Sequence, residues 1–76
     1  MSELEWLDIF GDNLVSLLRE TKMTRRELAD EIGVSEAMIS YYINKQKMPS
    51  FKILLKMAYA FGITLDELAD FGEVVY

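Results

Sequence analysis

Thr24-Arg25-Arg26-Glu27-Leu28-Ala29-Asp30-Glu31-Ile32-Gly33-Val34-Ser35-Glu36-Ala37-Met38-Ile39-Ser40 is the stretch that decides the fold of this 76-residue chain. Its first four residues form a capping box, in which the Thr24 hydroxyl takes the amide three residues on and Glu27 reaches back. Leu28, Ala29 and Ile32 follow as a short buried stripe. Gly33 then stops the helix, because glycine tolerates the left-handed conformation of a tight exit. Ser35 caps a further helix, whose inward positions are Met38, Ile39, Tyr42 and Ile43, with Ala37 small enough for close approach. Val34 alone links Gly33 to Ser35. Two short helices joined so closely cannot lie parallel and must cross steeply.

Upstream, Leu7, Phe10, Leu14, Leu17 and Leu18 keep the helical period and predict a first helix ending near Thr21. Two starts are open: a capping box from Ser2 and Glu5 would begin it near Glu3, whereas Gly11 weakens its middle and favours a start near Asp8. Downstream, Asn44 to Pro49 is a polar connection, and Ser50 caps a fourth helix carrying Phe51, Leu54, Met57, Ala58 and Phe61 inward, closed by Gly62. Thr64-Leu65-Asp66-Glu67 is another capping box and opens a short fifth helix through Leu68. No strand alternation, repeat or low-complexity tract is present. The expected fold is all-α, a compact bundle of about five short helices in a single domain over residues 1–76. Its core spans 9–69 and is flanked by apolar terminal extensions.

Composition narrows the function. With no cysteine and no histidine, a disulfide framework, a zinc site with its usual ligands and a histidine-based catalytic group are excluded, and no cofactor or metal is expected. The start, Met1 to Trp6, is acidic where a secretory signal is basic, so a cytoplasmic protein is expected. The longest uncharged run, Met57 to Leu65, falls far short of the roughly 20 residues that span a bilayer, so no membrane role is expected. Adjacent acids such as Asp30 and Glu31 project in different directions, and no nucleophile sits beside a base, so an enzyme is the weakest reading.

The net charge of −5 counts against indiscriminate coating of nucleic acid, whose nonspecific affinity comes from cations replacing counterions. Its distribution is uneven. Residues 1–21 carry five acids and one Arg, and residues 48–76 four acids and two Lys, whereas 22–47 carries five bases against four acids. The middle third is where a polyanion would approach.

From about Phe10 to Ala69 the order of features resembles the lambda-repressor-like helix-turn-helix family, also called the Xre or Cro/C1 type. The Thr24–Ser40 string is followed at the family's usual distance by Pro49-Ser50, Met57-Ala58, Phe61-Gly62-Ile63 and Asp66-Glu67-Leu68. The resemblance covers roughly four fifths of the chain, a far stronger signal than a lone TxxELA. It implies that the second helix of the motif lies in the major groove while the preceding one crosses the backbone. By that resemblance Glu36, Ala37, Ser40 and Tyr41 face the bases, and Arg25, Ser35, Asn44, Lys45 and Lys47 hold phosphates.

Two positions depart from the family. Arg25 stands where Gln is usual and still suits a phosphate. Lys45 stands where Gly is usual, and a non-glycine residue pays roughly 1 kcal/mol or more in the left-handed region. Either Asn44 takes that conformation or the loop differs.

Each assignment has a plainer competitor. Glu36 either accepts from a cytosine amine or simply complements the helix dipole. Ser40 is a short donor for a base edge or an ordinary exposed serine, and Lys45 and Lys47 are phosphate ligands or a solvated loop. Tyr41 and Tyr42 point about 100° apart, so Tyr42 belongs to the core and Tyr41 points outward.

A hydrophobic fraction of 51% is slightly high for so small a domain. Trp6, Ile9, Ile53, Leu55, Tyr59, Val74, Val75 and Tyr76 do not all fit inward faces. They either close over the core or form a two-fold interface, through the fourth-to-fifth helix surface, the terminal segments or both. The expected function is a sequence-specific regulator, a repressor that binds a pseudo-palindromic duplex operator as a homodimer. The rival is a protein-interaction module, antitoxin-like or adaptor, that keeps the fold without strong operator binding. Acidity, Glu36 and the missing loop glycine fit that rival.

Overall fold

The computed structural model describes residues 2–68, which form five helices: α1 (Glu3–Thr21), α2 (Arg25–Ile32), α3 (Glu36–Ile43), α4 (Phe51–Phe61) and α5 (Leu65–Leu68). No strand occurs among the described residues. The assignments resting on Ala69, Val74, Val75 and Tyr76 lie outside them.

Local signals set the helix boundaries. The hydroxyls of Ser2, Thr24, Ser35 and Ser50 each accept the amide three residues ahead, satisfying a donor that the first turn leaves orphaned. Thr24 and Glu27 complete a reciprocal capping box, with the Thr24 amide donating to Glu27 Oε1 over 2.9 Å. Gly33 and Gly62 close α2 and α4 at φ 74° and 69°. The fifth helix opens as expected, with Thr64 and Glu67 bonded in both directions.

Of the two possible starts for α1, the earlier one is found. Ser2 caps the helix, and Trp6 stacks on Phe10 with ring centroids 5.0 Å apart and planes 6° from parallel. Leu7, one turn before Phe10 on the same helix, is buried as well. Gly11 lies inside α1 for a tertiary reason. A Cβ there would stand 2.9 Å from the Ile43 carbonyl oxygen and 3.0 Å from the Lys45 stem, so α1 passes the end of α3 too closely for a side chain unless one of them shifts.

The core gathers Phe10, Leu14 and Leu18 from α1, Leu28, Ala29 and Ile32 from α2, and Ile39, Tyr42 and Ile43 from α3. Met57, Ala58 and Phe61 from α4 and Leu68 from α5 complete it. Among the described residues no polar or charged residue is buried, so apolar burial and packing stabilise the core. Leu17, Met38 and Leu54 are half-buried at its edge. Phe51 departs from the expected inward position and is 59% exposed. At 100° per residue it falls between the half-buried Leu54 and the exposed Leu55, on the rim of the α4 stripe.

Candidate nucleic-acid interface

Ser35 fixes the start of α3 by accepting the Met38 amide on its Oγ at 3.1 Å, and its hydroxyl proton remains available to donate outward. With Ile39, Tyr42 and Ile43 buried, the opposite side of α3 presents Glu36, Ala37 and Tyr41, all exposed, and Ser40 at intermediate depth. Tyr42 is 5% exposed and Tyr41 43%, so the two adjacent rings divide between core and surface as their spacing requires. Burial raises the Tyr42 phenol above its ordinary pKa and keeps it neutral.

The first residue of α2 reaches this face. Arg25 Nη1 donates to Ser40 Oγ over 3.1 Å, tying the start of α2 to the outward side of α3. A guanidinium has five N–H donors, so the contact leaves Arg25 others for an anion in front of both helices. This replacement for the family's Gln therefore bridges the two helices of the motif.

Beyond α3 the loop turns on Lys45. Asn44 keeps φ −83° and ψ 7°, while Lys45 takes the left-handed conformation at φ 64°. Asn44 therefore does not take the left-handed conformation, and the lysine that replaces the usual glycine accepts the strain itself. The Gln46 amide donates to the Tyr41 carbonyl at 2.8 Å and the Lys45 amide to the Tyr42 carbonyl at 3.2 Å, satisfying carbonyls that the helix end leaves open.

The Lys45 side chain runs back over Gly11, and its Nζ lies 2.7 Å from Asp8 Oδ1 and 3.0 Å from Asp12 Oδ1. The Asp8 carboxylate, followed by that of Asp12, raises the Lys45 pKa above its ordinary value, so the ammonium stays charged through the neutral range. Sequence reasoning missed Asp8 and Asp12. Their only sequence signal is an i, i+4 pair of acids on the first helix with a glycine between them.

The expected phosphate ligands thus differ in state. Asn44 and Lys47 are exposed beside α3, Arg25 is bonded to Ser40, Ser35 caps α3, and Lys45 is held by α1. Of the expected interface residues, Trp6 and Ile53 pack partly against the core, while Leu55 is 48% and Tyr59 88% exposed. Among the described residues there is no group of three acids, cysteines or histidines arranged for a metal ion, and no helix is long and apolar enough to cross a membrane.

Two short helices packed on one another, the second presenting an outward row bridged to the first, define a helix-turn-helix domain, the working part of DNA-binding transcription regulators. A helix-turn-helix family profile of the Cro/C1 type matches residues 15–68, and the chain belongs to that family. No curated protein matches the chain. Among solved structures, the chain is similar to the solution structure of the SOS-response transcriptional repressor LexA from Eubacterium rectale. That match has a TM-score of 0.82 at 24% identity and covers 95% of this chain and 77% of the other, a likeness of fold.

Proposed function

We propose that the protein is a repressor that binds a two-fold duplex operator as a homodimer, with one α3 in each of two successive major grooves about 34 Å apart. The observation that carries this reading is the outward-facing row Glu36, Ala37, Ser40 and Tyr41, with Ser40 bonded to Arg25. Side chains along this row meet base edges, while Arg25, Ser35, Asn44 and Lys47 hold the flanking phosphates. Lys45 joins them only on leaving its two carboxylates.

The dimer surface is assigned to α4. Phe51, Leu55 and Tyr59 recur every four residues and are all exposed, which makes one apolar strip along the helix. Exposed aromatic and aliphatic side chains in a row favour burial against a second copy, and a two-fold contact is the commonest way to achieve it. Trp6 and Ile53 contribute mainly to the monomer's own packing, and no cofactor takes part.

The test is selection from a randomised duplex pool, followed by fluorescence anisotropy of the enriched sequences against scrambled DNA at low and physiological salt. A two-fold sequence preferred by at least roughly thousandfold establishes operator binding. The acidic balance and the neutralised Lys45 favour one other reading, a protein-interaction module on the same fold. Absence of any enriched sequence selects that reading instead.

A further inference from the structure

We infer that Asp8 and Asp12 set the DNA affinity of this domain by withholding Lys45 from the phosphate backbone. The inference rests on the operator-binding reading above and adds two α1 carboxylates, neither of which faces DNA in that reading.

Three independent observations converge on Lys45. Its backbone sits at φ 64°, where a lysine gains nothing locally. Its stem lies over Gly11, with Cγ and Cε each 3.0 Å from where a Cβ would project, so α1 has a bare site for the stem to cross. Its ammonium ends between two carboxylates one helical turn apart, at 2.7 and 3.0 Å. The Lys45 side chain is 34% exposed, while those of Asp8 and Asp12 are 65% and 73% exposed. The cation is therefore partly enclosed, and the cluster turns a net negative face to solvent next to the loop that follows the recognition helix.

This arrangement has a calculable effect on a polyanion. Each phosphate neutralised on duplex DNA steepens the fall of log K with log salt by about 0.9, which at about 0.15 M salt is worth about fivefold in affinity. A lysine held by α1 forgoes that factor in each subunit. Arg25, Ser35, Asn44 and Lys47 remain to hold phosphates, so the carboxylates tune the affinity without abolishing binding.

A double-mutant cycle tests the inference. Wild type, Asp8→Asn/Asp12→Asn, Lys45→Gln and the triple variant are titrated against the selected duplex and a scrambled one across a salt series, with thermal unfolding confirming that each is folded. The Asp8→Asn/Asp12→Asn protein is expected to bind both duplexes about fivefold more tightly per subunit, with a slope steeper by about 0.9 per subunit. Lys45→Gln is expected to leave the wild-type slope unchanged and to erase the gain in the triple variant.

Two results overturn the inference. A wild-type slope that drops by about 0.9 per subunit on Lys45→Gln means that Lys45 already contacts phosphate. A gain that survives Lys45→Gln is the general effect of removing two negative charges. Failure of the operator reading looks different: wild type then shows no preference between the two duplexes, while the Lys45-dependence of the gain is still read on either one.

Discussion

Gly11→Ala puts the helix-crossing geometry to a quantitative test, because two opposing effects can be sized. In a helix interior, alanine is favoured over glycine by roughly 0.5–1 kcal/mol, so propensity alone predicts a more stable protein. Against this, the new methyl would sit 2.9 Å from the Ile43 carbonyl oxygen and 3.0 Å from two carbons of Lys45. The lysine stem can swing away, but the carbonyl belongs to the last turn of α3 and moves only with the helix. Overpacking of this kind costs about 1–3 kcal/mol. The upper part of that range applies because the nearest atom is backbone. A net loss of about 1–2 kcal/mol follows, which for a domain of this size lowers the melting temperature by roughly 4–16 °C.

Circular dichroism melts and urea titrations measure the loss. Ser16→Ala, at an exposed position on the same helix, is the control and is expected within about 0.5 kcal/mol of wild type. Repeating Gly11→Ala in a Lys45→Gly background removes the stem contacts but not the carbonyl, so only part of the loss is expected to return. A Gly11→Ala protein as stable as wild type, or more so, would refute the close crossing of α1 and α3.

Further outcomes are expected at the α2 cap, on α4 and on the outward face of α3. Thr24→Ala removes the α2 cap at a cost of about 1 kcal/mol, read by urea denaturation. The Thr24 amide, then its hydroxyl, holds Glu27 below the ordinary carboxylate pKa. The resulting stabilisation is present above pH 4.5 and is lost as pH falls through the lowered folded value, so Glu27→Gln flattens the acid limb of the stability curve. Leu55→Ser with Tyr59→Ser leaves the monomer fold intact while shifting sedimentation towards monomer; unchanged sedimentation of a dimeric protein would move the interface off α4. Arg25→Ala weakens binding to every duplex and lowers the salt slope by about 0.9 per subunit, whereas Ser40→Ala alters preference at one base position by about 1–3 kcal/mol.

The features legible in the sequence are those fixed by neighbours in the chain. A serine or threonine caps a helix by reaching three residues ahead, and Gly33 and Gly62 stop helices by their own freedom. Ser35, Thr24 and both glycines therefore stand where expected. The core stripes of α2 and α3 followed from helical period alone. Gly11, Phe51 and Lys45 were illegible because distant residues decide them. Gly11 reads locally as a helix weakener, and only the passage of α3 makes it a crossing point. Phe51 keeps the period of α4 but lies at the rim of its buried stripe, where how far the neighbouring helices reach decides its exposure. Lys45 carries no local preference for positive φ, and its partners are 33 and more residues away in α1. On α3, period alone divides Tyr41 from Tyr42, whereas the family resemblance supplies the base-facing roles.

The same distinction changes what the charge distribution means. Read in blocks, residues 22–47 are the cationic third and the acidic first third is a separate region. Folding sets Asp8 and Asp12 against Lys45, so acids from the first block neutralise a base of the second. That leaves Arg25 and Lys47 as the sequence-assigned cations beside α3 that are not held by a carboxylate among the described residues. Two phosphate contacts give a monomer a salt slope of only about −1.8, and a dimer doubles it to about −3.6. On this argument the apolar strip on α4 and the polar row on α3 are interdependent. With so few cations per subunit, the proposed dimer would supply the affinity for a polyanion by presenting two copies at once, and occupancy of DNA would then follow the monomer–dimer equilibrium.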